Sequence, residues 1–224
     1  MENRFRFARM DFKSDPNIGM FGFATDTYCL LGISLSQKVI DKLEKVLQVK
    51  IKTAQLFGTE LIGLFCSGND HGIVLTKMAE PEEIEAIKAL FPKLNILVTP
   101  TDVTATGNMI LCNNNGAIIS PLLEKYKTEI SECLNCPVEV SQIADLDVVG
   151  SAGLASQKGC LLHREATDEQ AALIEKILKV QTDVGTVGKG NPYIKSGIIV
   201  NSNGVIVSES STGPELGRIG ELFE

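Results

Sequence analysis

The sequence predicts an α/β fold made of five copies of one strand–turn–strand–helix–strand module, closed into a ring. Three observations carry that prediction. An apolar hairpin recurs five times at a nearly fixed interval, a helix-start signal follows at a fixed offset, and the first residues form a strand that no other module claims. The hairpins run from Ile18 to Leu31, Ile62 to Leu75, Gly107 to Ile119, Val149 to Leu162 and Gly197 to Val207. Their turn positions, 28, 72, 116, 159 and 204, are spaced by 44, 44, 43 and 45 residues. Nine residues before each turn stand Gly19, Gly63, Gly107 and Gly150, and Lys195 in the fifth copy. Chance does not hold such a phase through five copies, so the chain reads as a repeat architecture. Gly72, Gly116, Gly159 and Gly204 close their turns and are expected to supply the positive φ that hairpins use.

Each hairpin is followed by a helix. After Ser36, the residues Val39, Ile40, Leu43, Val46 and Leu47 draw one apolar face at helical spacing. Pro81 with Glu82 and Glu83 opens the second helix, proline in the first turn and carboxylates at the positive end of the dipole. Ser120-Pro121 opens the third, earlier in its module. Thr167 with Gln170 and Thr212 with Glu215 are capping boxes, in which side chains satisfy the free N–H groups of the first turn. Positions 36, 80, 167 and 212 each lie eight residues past their turn.

A further strand follows four of the helices, over 49–55, 94–99, 138–143 and 180–187. No such strand follows the fifth, and residues 4–12 alternate polar and apolar as a half-buried strand does. The expectation is that this leading strand completes the last module and seals the ring, which removes exposed sheet edges. One domain of five repeats is therefore expected, over about 13–56, 57–100, 101–144, 145–188 and 189–224.

Hydrophobic residues are 44% and charged residues 22% of the 224, ordinary values for a globular chain with ample core material. Aromatics are only 5% with no Trp, so aliphatic packing dominates. No run approaches a membrane span and no signal peptide is visible, so a cytoplasmic protein is expected. The formal net charge is −7. Nucleic-acid binders draw on counterion release from a basic surface, so this chain is expected to favour protein partners or one local basic patch. Its six cysteines, in a cytosolic setting, are expected to be thiols, four of them small hydrophobes in strands.

Five αβ modules of this length resemble the pentein superfamily of five-bladed α/β propellers. Within it, the sequence is similar to the translation initiation factor six family, archaeal in type because the chain ends at the fifth helix. The likeness runs through Ile18-Gly19, Thr27 to Leu30, Ile62-Gly63, Gly68 to Gly72, Ala105 to Asn108, Val149 to Ser151, Gly159 to His163, Gly185 to Val187 and Ser211 to Leu216. It implies a non-enzymatic factor that binds the large ribosomal subunit and blocks joining of the small one. Contact would be made with a ribosomal protein of the joining surface, beside the sarcin–ricin loop of the rRNA. A monomer is expected, with no cofactor, no metal, no small-molecule substrate and no membrane. The family's Gly-Asn pair matches Gly107-Asn108, and an amide can donate and accept at once. Thr106 departs from the family's Leu. The residues expected to meet the ribosome are Asn108, Gly107, Gly63, Leu64, Gly19, Gly150 and Ser151, taken as a ring of strand starts on one face. Crowding of five strands at one axis is the alternative explanation of the glycines.

Two other functions stay open. Other penteins are guanidine-modifying enzymes with a Cys nucleophile in the last module and a His acid–base. Here the last cysteine is Cys160, in the fourth module, and the histidines are His71 and His163. The second alternative is a ring-shaped protein scaffold with no ribosomal role. Cys133 and Cys136 have the spacing of half a zinc site, without a second pair, and fall at a helix C-terminus, not the N-terminus that activates thiols. Gly185 to Gly190 is too short for a phosphate loop and reads as the link between modules four and five. Lys42, Lys45, Lys50 and Lys52 form a basic cluster with no aromatics to stack bases, expected to be a solvated face.

Overall fold

The computed structural model describes residues 5–224; Arg4, expected to open the leading strand, lies outside them. Five three-stranded sheets repeat one topology. In the first, β2 (Gly22–Ala24) pairs antiparallel with β3 (Tyr28–Leu31), and β3 pairs parallel with β4 (Lys50–Thr53) after helix α1 (Gln37–Leu47). The second has β5 (Cys66–Gly68), β6 (Gly72–Thr76), α2 (Pro81–Leu90) and β7 (Asn95–Thr99). The third has β8 (Ile110–Cys112), β9 (Ala117–Ile119), α3 (Lys127–Leu134) and β10 (Val138–Val140). The fourth has β11 (Gly153–Ala155), β12 (Gly159–His163), α4 (Asp168–Leu178) and β13 (Gln181–Gly185). In the fifth, β14 (Ile198–Asn201) and β15 (Gly204–Val207) precede α5 (Gly213–Phe223), and the third strand is β1 (Arg6–Arg9). β1 runs parallel to β15 with Phe7 opposite Val205, so the leading strand closes a five-bladed α/β propeller as the sequence predicts.

The helices start where their caps place them, after Ser36, Glu80, Thr167 and Thr212. Ser120 accepts from Leu122 N–H and opens a 3₁₀ segment, Pro121–Tyr126, that runs into α3. Each helix wedges between its own sheet and the one before it. Leu30, Val74, Ile118, Leu161 and Ile206, one per module, are buried to 0% exposure and share clusters with Ile87, Ile130, Ile174, Ile219 and Leu43 of the following module's helix. The repeated phase of the sequence thus becomes a repeated seam of aliphatic contact, which holds neighbouring modules together by hydrophobic burial.

Two expectations are corrected. The strands after the helices are shorter than their apolar runs, and the leading strand pairs over 6–9 with Ala8 buried and Phe7 41% exposed. Gly72, Gly116, Gly159 and Gly204 do not adopt positive φ; Gly58, Gly188 and Gly190 do. A Cβ on the four turn glycines would strike Cys133 O, Ile177 O, Leu222 O and Val46 O, carbonyls at the end of the next module's helix. Close approach of a helix end, not turn geometry, requires them.

Candidate functional site

Each module enters its first strand through one helical turn: Ile18–Met20, Ile62–Phe65, Thr106–Asn108, Val149–Ala152 and Ile194–Gly197. Gly19, Gly63, Gly107 and Gly150 lie in these turns and not at the strand starts where the sequence put them. The turns meet at the axis. A Cβ on Gly19 would strike Lys195 O, one on Gly63 would strike Gly19 O, and one on Gly107 would strike Gly63 O. On Gly150 it would come within 2.6 Å of Gly107 O. Each glycine therefore packs on the same peptide of the module before it, and the crowding explanation accounts for all four.

Lys195 takes the fifth glycine's place. Its side chain, 7% exposed, crosses the axis, and Nζ donates to Gly63 O at 2.8 Å and Gly107 O at 2.7 Å. These carbonyls belong to the peptides that lead into Leu64 and Asn108. Burial pulls the ammonium down to about 8, with a smaller opposing effect from the Cys66 and Cys112 thiols.

Above the glycines, the next residue of every turn rims a mouth: Met20, Leu64, Asn108, Ser151 and Ser196. All five are half-buried. The cavity they surround measures about 270 Å³ and is also lined by Lys195, Tyr193, Asn17 and Asn191. Of the sequence-predicted residues, Gly19, Leu64, Asn108 and Ser151 line it, while Gly63, Gly107 and Gly150 lie in the turns beneath. Asn108 Oδ1 is the one buried side-chain oxygen or nitrogen among the described residues without a hydrogen-bond partner. An acceptor sealed from water and left without a donor costs free energy in the folded chain.

The opposite end of the ring is satisfied by its own side chains. Asn113 Nδ2 donates to Ser156 O and Leu178 O of the next module at 3.0 and 2.9 Å, and Oδ1 accepts from Asn115 and Gly116 N–H. Asn69 and Asn201 repeat the pattern towards Asn113 O with Leu134 O, and Thr25 O with Leu47 O. In the first module Tyr28 hydroxyl donates to Asn69 O instead. An outer circuit joins Ser202 N–H to Asp26, Thr27 N–H to Asp70, Asp70 N–H to Asn114 and Asn114 N–H to Gln157. The sequence signal was present, an Asn three residues before three of the turns, but a turn Asn ordinarily serves its own backbone.

The eIF-6 family model matches residues 7–222. The chain belongs to the eIF-6 family. Translation initiation factor 6 of Pyrococcus abyssi is 37% identical over 220 residues, covering 96% of this chain and 97% of that protein. That of Methanocaldococcus jannaschii is 35% identical over 213 residues, 93% of each chain. The Haloquadratum walsbyi factor is 34% identical over 212 residues, 94% of this chain and 93% of its own.

Other chemistry in this eIF-6 family chain is quiet. All six cysteines are free. Burial pushes Cys66 and Cys136 up to about 12, Cys112 and Cys133 to about 11, and Cys29 and Cys160 higher still, far from a reactive thiolate. His163 is lowered by burial, accepts from Glu165 N–H through Nδ1 and packs edge-on against Tyr193. No group of three His, Cys, Asp or Glu among the described residues is placed to hold a metal. In the loop after β13, Lys189 and Gly190 N–H groups donate to Glu215 and Gly188 N–H to Ser211, so an internal carboxylate sits where a phosphate would. Lys42, Lys45 and Lys50 are exposed, and Lys50 pairs with Glu44 at 2.7 Å. No helix among the described residues is long and apolar enough to cross a membrane.

Proposed function

We propose that this eIF-6 family chain binds the large ribosomal subunit and keeps the small subunit from joining it, as a rigid obstacle without catalytic chemistry. The observation that carries the reading is the contrast between the two ends of the ring. One end is tied by its own hydrogen bonds around a cavity of only about 30 Å³, and the other opens into a polar mouth of about 270 Å³ rimmed by Leu64, Asn108 and Ser151. The mouth end is the docking face, with Asn108, Leu64 and Ser151 making contact and Gly19, Gly63, Gly107 and Gly150 fixing the backbone beneath. The net charge of −7 favours a ribosomal protein of the joining surface, next to the sarcin–ricin loop, over broad contact with rRNA. The chain works as a cytoplasmic monomer. Inert thiols and the lack of a Cys in the fifth module support a non-enzymatic role over guanidine chemistry.

Co-sedimentation tests the proposal. The protein should pellet with large subunits and not small ones, and should lower subunit association when both are mixed. Asn108→Ala should weaken large-subunit binding by roughly tenfold, the loss expected for a central interface residue. Protein that ignores large subunits would leave only a ring-shaped scaffold of another role.

A further inference from the structure

Lys195 carries a charge that its surroundings do not balance. A lysine ammonium has three N–H donors. Two go to Gly63 O and Gly107 O, and no carboxylate among the described residues forms an ion pair with the third. Buried charges in proteins are ordinarily paired. None of the other residues lining the mouth is charged: Asn17, Gly19, Met20, Leu64, Asn108, Ser151, Asn191, Tyr193 and Ser196. In a chain of net charge −7, the axis of this face is a single buried positive point.

Asn108, whose preceding carbonyl Lys195 holds, stands on the rim with its Oδ1 sealed from solvent. The cavity of about 270 Å³ corresponds to roughly nine waters at ~30 Å³ each, room for one side chain. We infer that the mouth is a socket for one acidic residue of a protein partner, its carboxylate on the Lys195 ammonium. A phosphate fits less well. A lysine holds phosphate as a point charge, but such sites add arginine forks or rows of backbone N–H groups, and no arginine lines this mouth. The inference rests on the mouth being the docking face, and it names the partner chemistry of that face.

The test begins with the free full-length protein carrying ¹³C-labelled lysine, in which the Lys195 side-chain titration is followed by NMR. N-acetylglutamate amide should raise its midpoint from about 8, because a bound carboxylate favours the ammonium, while N-acetylglutamine amide should not. Acetate, which carries the carboxylate alone, should raise it as well. No response to the capped glutamate, or a larger one to inorganic phosphate, overturns the socket, the latter in favour of nucleic-acid phosphate. On large subunits, Lys195→Met with unchanged near-UV circular dichroism should bind roughly tenfold or more weakly, the loss of one buried charge-assisted bond. Wild-type affinity in that variant overturns the inference. Should wild-type protein fail to bind large subunits, the anti-association role falls, and the capped-glutamate titration still decides the socket.

Discussion

The carbonyl oxygen of Gly107 accepts a hydrogen bond from the Lys195 ammonium at 2.7 Å, which ties the third module to the fifth across the axis. Four glycines let four turns converge until their peptides touch. The fifth position breaks the repeat, and its long side chain returns over the others to bind two of their carbonyls. That arrangement keeps a cation out of water with two peptide carbonyls bonded to it.

The cost of the buried ammonium should be visible as a pH dependence. Folding moves Lys195 from 10.5 down to about 8. The unfolded chain therefore binds more protons between those values, and this group's contribution to stability rises with pH there. Its penalty is carried in full below about pH 8 and fades towards 10.5. Urea unfolding of wild type and Lys195→Met at pH 7 and pH 10, under reducing conditions, should show the difference moving in favour of wild type by on the order of 2 kcal/mol. The other thiols are common to both proteins, and Cys66 and Cys112, pushed up to about 12 and about 11, stay largely protonated in the folded chain at pH 10. A difference that stays constant with pH would mean that Lys195 is solvated.

Gly107→Ala should be far worse than Gly217→Ala. At Gly107 the added Cβ meets Cys66 O and Gly63 O, both backbone atoms that cannot turn aside. Overpacking of that kind costs roughly 3 kcal/mol or more. Gly217 is exposed within α5 with nothing within 4 Å of the added carbon. There alanine should stabilise by about 0.5–1 kcal/mol through helix propensity. Chemical denaturation of the two variants gives opposite signs, and equal effects would show that the turns at the axis do not crowd.

Much of this geometry was legible from phase. Helix starts, hairpins and ring closure follow from residue types recurring at one interval, because local capping and burial rules act alike in every copy. What the sequence hid lies between modules. Gly72 and Gly107 both read as flexible or strand-end glycines, yet both are required by backbone from another module, Cys133 O in one case and Gly63 O in the other. Lys195 was visible only as the position where the glycine pattern fails. Nothing local says that its ammonium reaches carbonyls 132 and 88 residues away. Asn108 was named through resemblance, and its unpaired oxygen is a property of the assembled mouth.

Asn113 should behave as a rivet between the third and fourth modules. Its amide makes four hydrogen bonds, two to carbonyls of the next module and two from its own turn, at 5% exposure. Asn113→Ala strands Ser156 O and the turn N–H groups of Asn115 and Gly116, while Leu178 O keeps the Asn115 amide, for a loss of roughly 2–4 kcal/mol. Amide hydrogen exchange should show β9 and β12 opening more readily than strands on the far side of the ring. Uniform loss of protection around the ring would mean that the modules unfold only together.

Glu215 gives an acid-side counterpart to Lys195. It is the third residue of α5, and its carboxylate accepts from Thr212 N–H at 2.7 Å, Gly190 N–H at 2.8 Å and Lys189 N–H at 3.2 Å, as well as from the Thr186 hydroxyl at 2.8 Å. Burial on its own would raise this carboxyl, but the N–H groups of Thr212 and Gly190 and the two threonine hydroxyls outweigh it and hold it below 4.5. A carboxyl depressed by folding adds stability that is complete above its unfolded value and is lost as pH falls through its folded one. In Glu215→Gln one oxygen becomes an NH₂ facing N–H donors, so the variant should be less stable than wild type at pH 7. As pH drops from 6 to below 4 the gap should narrow, because wild type must then place a proton among the same donors. Urea midpoints across that range decide it. A gap that stays open in acid would mean that the carboxylate's charge does not hold the loop between modules four and five, and that its shape alone does.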